Sequence, residues 1–113
     1  MKKEEILKSS QDFTRIIKKN NIFKNKLFYI FIQKNNLKKY QVGISVPTKT
    51  GNAVVRNKIK RQIKSIIGQN RENLLSNYNY VILVRKELLN NSYSNIEKNM
   101  IYCLSKLKEK NNE

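Results

Sequence analysis

The chain has 113 residues, 39% of them hydrophobic, with no Trp and only three Gly and one Pro. That is enough for one domain with one core, taken as 1–113 with 1–8 and 108–113 flexible, and it excludes a second domain, a low-complexity tract or a collagen-like repeat. Lys and Arg number 24 against 8 Asp and Glu, a net charge of +16. The longest apolar run, Leu27 to Ile32, is far short of a membrane-spanning helix, and the lysines of MKKEEILKSS precede no apolar stretch of the kind a secretory signal needs.

In chain order, Ser9-Ser10-Gln11-Asp12 reads as a capping box, and the helix it opens carries Phe13, Ile16 and Ile17 on one face before ending at Asn20-Asn21. Leu27 to Gln33 reads as a strand, with Phe23 at its start. Phe28, Ile30 and Ile32 point one way; Leu27, Tyr29 and Phe31 point the other. Both faces are apolar, so both are expected to be covered, or one to bind something. A turn at 35–39 leads to a strand from Tyr40 to Val46, closed by Pro47. Gly51 makes a turn and Asn52 caps a basic helix. Val55, Ile59, Ile63, Ile66 and Ile67 form its inward stripe, and it stops near Gly68. A short helical turn reaches Leu74-Leu75, Tyr78 to Arg85 reads as a buried strand, and Tyr93 to Leu107 as a last helix with Ile96, Met100, Ile101, Leu104 and Leu107 inward. Helices packed on a small sheet follow from this order.

Charge distribution narrows the function. Residues 13 to 71 carry fifteen Lys and Arg and no carboxylate, the acids lying at Glu4, Glu5 and Asp12 and then not before Glu72. A genome rich in A and T inflates lysine, but it does not empty half a chain of acids. In the basic helix Arg56 and Lys58 lie near the N-terminus, against the macrodipole, and like charges recur one turn apart. Each such placement costs from a few tenths to about 1 kcal/mol. Phosphates that neutralise the face and release counterions account for the arrangement. A basic face alone does not separate DNA from RNA. If the first helix faces the aromatic strand, Phe13 and Ile17 with Tyr29 and Phe31 form either an ordinary core or an apolar groove that stacks single-stranded bases.

The block VGISVPTKTGNAVVRNKIKRQIK closely resembles the signature of the bacterial ribonuclease P protein, and the resemblance extends over nearly the whole chain. It implies a two-layer α+β (α/β) sandwich of the ribosomal protein S5 domain 2-like kind. The order is α-β-β-α-β-α with room for an extra short strand, and a left-handed βαβ crossover runs through the basic helix. It also implies an RNA-binding subunit in the cytoplasm, partnered by ribonuclease P RNA and by the 5′ leader of precursor tRNA, with no membrane or DNA partner. The RNA subunit would remove the leader using Mg2+ at its own active site, and the protein alone would bind no cofactor. Carried over by position, the RNA-binding residues are Lys49, Arg56, Asn57, Lys58, Lys60, Arg61 and Lys64, and the leader cleft is Phe13, Ile17, Tyr29 and Phe31. Lys58 and Lys64 stand where many members have Arg, Ile17 where an aromatic is common, Phe31 where Tyr is common, and Thr48 where Lys is frequent.

The residues themselves agree with a non-catalytic chain. There is no His, the acids are few and scattered, and Cys103 is the single cysteine, with no partner for nucleophilic work, an internal disulfide or a zinc site. Another small RNA-binding module, such as a ribosomal protein, is the alternative, but it has no reason to carry GNAVVRN. A helix-turn-helix regulator is disfavoured because the basic helix lies between strands.

Overall fold

The structure is a computed structural model, and it describes Ile6 and residues 22–111. Its elements are strands β1 (Ile22–Lys24), β2 (Phe28–Lys34) and β3 (Gln41–Ser45), helix α1 (Ala53–Gln69), strand β4 (Tyr78–Val84) and helix α2 (Tyr93–Asn111). One mixed sheet has the order β1-β2-β4-β3. β2 pairs antiparallel with β1 and β4, whereas β3 pairs parallel with β4, so the chain must cross over between them, and α1 is that crossover. Ile6 forms a parallel bridge to Val42 on β3. The helix predicted from Ser9 lies outside the described residues.

The two central strands are the two longest apolar runs, as burial on both faces requires. Phe28, Ile30 and Ile32 of β2 and Tyr80, Ile82 and Val84 of β4 enter the main core, with Ile59, Ile63, Ile66 and Ile67 from α1 and Ile96, Met100, Cys103, Leu104 and Leu107 from α2. The other sheet face carries a smaller cluster of Phe31 and Val81, flanked by Ile22, Tyr29 and Leu83.

Several local expectations change. Phe23 does not start β2 but sits in β1, the extra short strand, opposite Ile30 in a hairpin. Leu27 joins the main core instead of sharing a face with Tyr29 and Phe31. It precedes the strand, in a turn where Asn25 Oδ1 accepts the Leu27 N–H at 2.8 Å, so strand alternation does not reach it. Ile101 is half-buried, and Cys103 takes the inward place. The turn near Leu74-Leu75 is a single 3-10 turn at Arg71–Asn73.

The helix ends have identifiable causes. Asn52 caps α1, its Oδ1 accepting the Val55 N–H at 3.0 Å. At Gly51 a Cβ would lie 3.0 Å from Val55 Cγ1, a tight approach to which Val55 would have to yield. α1 runs past Gly68 to Gln69, where Asn70 Nδ2 donates to the Ile66 carbonyl at 2.7 Å and so satisfies an end-of-helix acceptor. α2 begins after Ser92, whose Oγ accepts the Asn95 N–H, and continues to Asn111, whose Nδ2 donates to the Leu107 carbonyl at 2.8 Å. The stretch after Lys108, expected to fray, is thus helical as far as Asn111.

Two buried groups titrate late. Burial pushes the Cys103 thiol up from 9.0 to about 11, partly opposed by a hydrogen bond with Asn25. Burial likewise raises the Tyr80 hydroxyl, against the hydrogen bond it accepts from Leu75 N–H. Between about pH 9 and 11 the unfolded thiol ionises while the folded one keeps its proton, so stability is lost as pH rises through that window. Urea midpoints should therefore fall from pH 9 to 11 less steeply in Cys103→Ala than in the parent chain. At neutral pH, Asn52→Ala should lower unfolding free energy by about 1 kcal/mol, read from urea denaturation, because the cap bond to Val55 is lost.

Candidate nucleic-acid interface

Helix α1 presents its cations as two flanks and a crest. Arg56, Lys60 and Lys64 recur every four residues and are all half-buried, so they form one row along the side of the helix. Asn57 and Arg61 stand exposed on the outward crest, and Lys58, also exposed, lies on the opposite flank. On that flank Lys58 and Gln62 border a groove whose far wall is Leu88, Leu89 and Ile96. The Arg56–Lys60–Lys64 row therefore faces away from α2. The sequence placed Lys60 and Lys64 beside Lys58 on one outward side; in the structure the isoleucine stripe is broad enough to split them.

The start of the helix is held firmly. Arg56 Nε donates to the Gly51 carbonyl at 3.1 Å, tying the guanidinium to the turn. Asn52 uses its side chain on Val55, and the N–H groups of Ala53 and Val54 lie in the exposed first turn, where an anion is favoured. Lys49 is exposed in a 3-10 turn at Thr48–Thr50, directly before this start.

A second basic feature follows from strand direction. Because β3 and β4 run parallel, the segment after β3 and the end of β4 emerge on the same side, together with the beginning of antiparallel β2. There Tyr29, Pro47, Lys49, Thr50 and residues 83–87 line a cleft of about 480 Å3. Arg85 lies over the Tyr29 ring with its guanidinium carbon 4.9 Å from the centroid. Its Nη1 donates to the Asn25 carbonyl at 3.3 Å, and its Nε pairs with Glu87 at 3.4 Å. Lys86 adds an exposed cation on the rim.

Of the predicted cleft residues, Tyr29 and Phe31 share a sheet face with Ile22, Val81 and Leu83. Tyr29 is half-buried and reaches the cleft, whereas Phe31 is 7% exposed and offers little surface. Phe13 and Ile17 lie outside the described residues. Sequence reasoning missed Arg85 and Lys86 as site residues. The signal was present as a cationic pair ending an apolar strand, but its meaning depends on β4 pairing parallel with β3.

A family model described as "Ribonuclease P" matches residues 1–108. The ribonuclease P protein component of Streptococcus pneumoniae is 36% identical over 104 residues, covering 92% of this chain and 85% of that protein. Among solved structures, the ribonuclease P protein of Staphylococcus aureus superposes with a TM-score of 0.84 at 30% identity, covering 92% of this chain and 95% of that one. The protein from Thermotoga maritima gives 0.83 at 26%, covering 90% and 96%.

Crowded cations on α1 predict a response to simple polyanions. At constant ionic strength, pyrophosphate should raise the thermal midpoint of the chain above its value in chloride, and the gain should shrink in Lys58→Gln/Arg61→Gln, as followed by circular dichroism.

Proposed function

Since the chain belongs to the ribonuclease P protein family and so to the enzyme that processes tRNA 5′ ends, we propose that it binds ribonuclease P RNA through α1 and holds the single-stranded 5′ leader of precursor tRNA beside Tyr29. One observation carries the reading: fifteen cations and no carboxylate between residues 13 and 71, five of them on a helix whose other side is locked into the core.

Each part of the site has a task that follows from its chemistry. Arg61 and Lys58 reach phosphates of a folded RNA, and Asn57 supplies a neutral donor and acceptor between them. Arg56, tied to Gly51, orients the first turn of α1 so that Lys49 and the free N–H groups meet one stretch of backbone. In the neighbouring cleft, Tyr29 offers a π-face, while Arg85, Lys86 and Lys49 surround it with positive charge, the combination that suits unpaired nucleotides. The family resemblance assigns Phe13 and Ile17 to leader binding as well.

The chemistry of cleavage rests with the RNA. The sequence has no histidine, and among the described residues no group of three or more Cys, Asp or Glu is placed to hold a metal ion. Magnesium held by the RNA would supply the activated water, and this chain binds and orients the substrate. The reaction takes place in the cytoplasm, where a lone reduced cysteine is at home.

Reconstitution tests the reading. With a bacterial ribonuclease P RNA and precursor tRNA at low magnesium, RNA plus protein should remove the leader faster than RNA alone, and protein alone should cleave nothing. Cleavage by the isolated protein, or absence of stimulation, overturns it. Arg61→Ala should weaken RNA binding and flatten the plot of log K against log salt by roughly 0.7 to 0.9. Phe13→Ala should weaken binding of precursor tRNA more than of mature tRNA, and equal losses would make Phe13 a core residue only.

A further inference from the structure

A second aromatic site stands apart from α1 and from the Tyr29 cleft, where β1 meets α2. Tyr102 is 55% exposed, more than any other aromatic among the described residues. The core row of α2 runs through Ile96, Met100, Cys103, Leu104 and Leu107, so Tyr102 lies outside it. The ring is nevertheless fixed. Phe23 of β1 meets it edge-on, with centroids 6.3 Å apart and planes at 66°. Lys106, one turn on, holds its ammonium 5.8 Å from the ring centroid, and exposed Lys98 lies one turn before. The carboxylate beside Lys106 is Glu109 at 3.7 Å, with both side chains about half or more exposed, so water screens the pair and a phosphate can replace it.

The same combination occurs in the Tyr29 cleft. There too a cation lies over a tyrosine ring, and a carboxylate two residues further on pairs with it. Strand β1 connects the two sites. Its register puts Ile22 and Lys24 on the face of Phe31 and Tyr29, and Phe23 on the helix side, against Tyr102. Lys24 is exposed at this edge. A strand of RNA leaving the cleft over β1 would meet Lys24, then the Tyr102 ring between Lys98 and Lys106.

We propose that Tyr102, with Lys98 and Lys106, is a stacking platform for single-stranded RNA that takes the cleft-distal nucleotides of long 5′ leaders. A tyrosine ring stacks any base, and lysines on both sides follow the backbone, so the platform would extend leader binding without sequence preference. This inference rests on the leader-binding reading above.

The experiment compares precursor tRNAs with leaders of about 2 and about 15 nucleotides, the latter near the upper end of single-stranded site sizes. Both are bound to holoenzyme carrying the parent chain, Tyr102→Ala or Tyr102→Phe. Tyr102→Ala should weaken the long-leader substrate about fivefold or more, the low end of what one stacked base contributes, and leave the short-leader substrate unchanged. Tyr102→Phe should behave as the parent. A 2-aminopurine in the distal leader should be quenched by the parent and by Tyr102→Phe but not by Tyr102→Ala. Unchanged long-leader binding, equal losses for both leaders, or quenching that survives Tyr102→Ala overturns the platform. If the parent holoenzyme does not distinguish leader-bearing from mature tRNA, the leader-binding reading itself fails, which is a separable result.

Discussion

Repulsion along α1 is tolerated because a stronger term opposes it, and the rest of the molecule is arranged around that contest. Arg56, Lys60 and Lys64 repeat at one-turn spacing with no acid in the helix to offset them. Each like-charge neighbour costs a few tenths of a kcal/mol, and a cation near the N-terminus up to about 1. Against this, Ile59, Ile63, Ile66 and Ile67 are buried, each worth about 1.5 to 3 kcal/mol. The apolar term wins, the helix stays docked, and the unrelieved charge becomes a gain in free energy whenever phosphates approach and counterions leave.

Docking of α1 also determines where the second site lies. A parallel β3–β4 pair cannot be joined by a tight turn, so the basic helix serves as the connection, and its N-terminus is placed at the sheet end where β4 terminates. Lys49 in the approach to α1 and Arg85 and Lys86 after β4 consequently line one cleft although they are far apart in sequence. The family signature and the cleft are products of one topological constraint.

That constraint explains which parts were legible beforehand. Elements with a clear period, such as the isoleucine stripe of α1 and the apolar runs of β2 and β4, could be read directly, as could the Asn52 cap. Leu27 misled because parity was carried one residue beyond the end of its strand. Phe23 reads as the start of β2 because a three-residue edge strand leaves almost no periodic signal, and the end of α2 reads early because its last turn carries lysines, with side-chain amide capping at Asn111 doing what apolar contacts do elsewhere. Among site residues, the basic ones on α1 were visible as a charge run. Arg85 was not, since its role depends on a long-range pairing with Tyr29 and Asn25.

Two of the eight acids belong to this scheme. Glu87 pairs with the cation over Tyr29, and Glu109 with the cation over Tyr102. Both pairs are well exposed, the least exposed side chain being Arg85 at 36%, so each contributes little to stability. Each carboxylate lies beside a cation that is itself over an aromatic ring. In the proposed binding mode, RNA would exchange a weak, water-screened carboxylate for a phosphate while a base takes the ring, and breaking the ion pair would cost little. Acid placement thus complements acid depletion: α1 carries no carboxylate, whereas Glu87 and Glu109 each sit beside a cation that lies over a tyrosine.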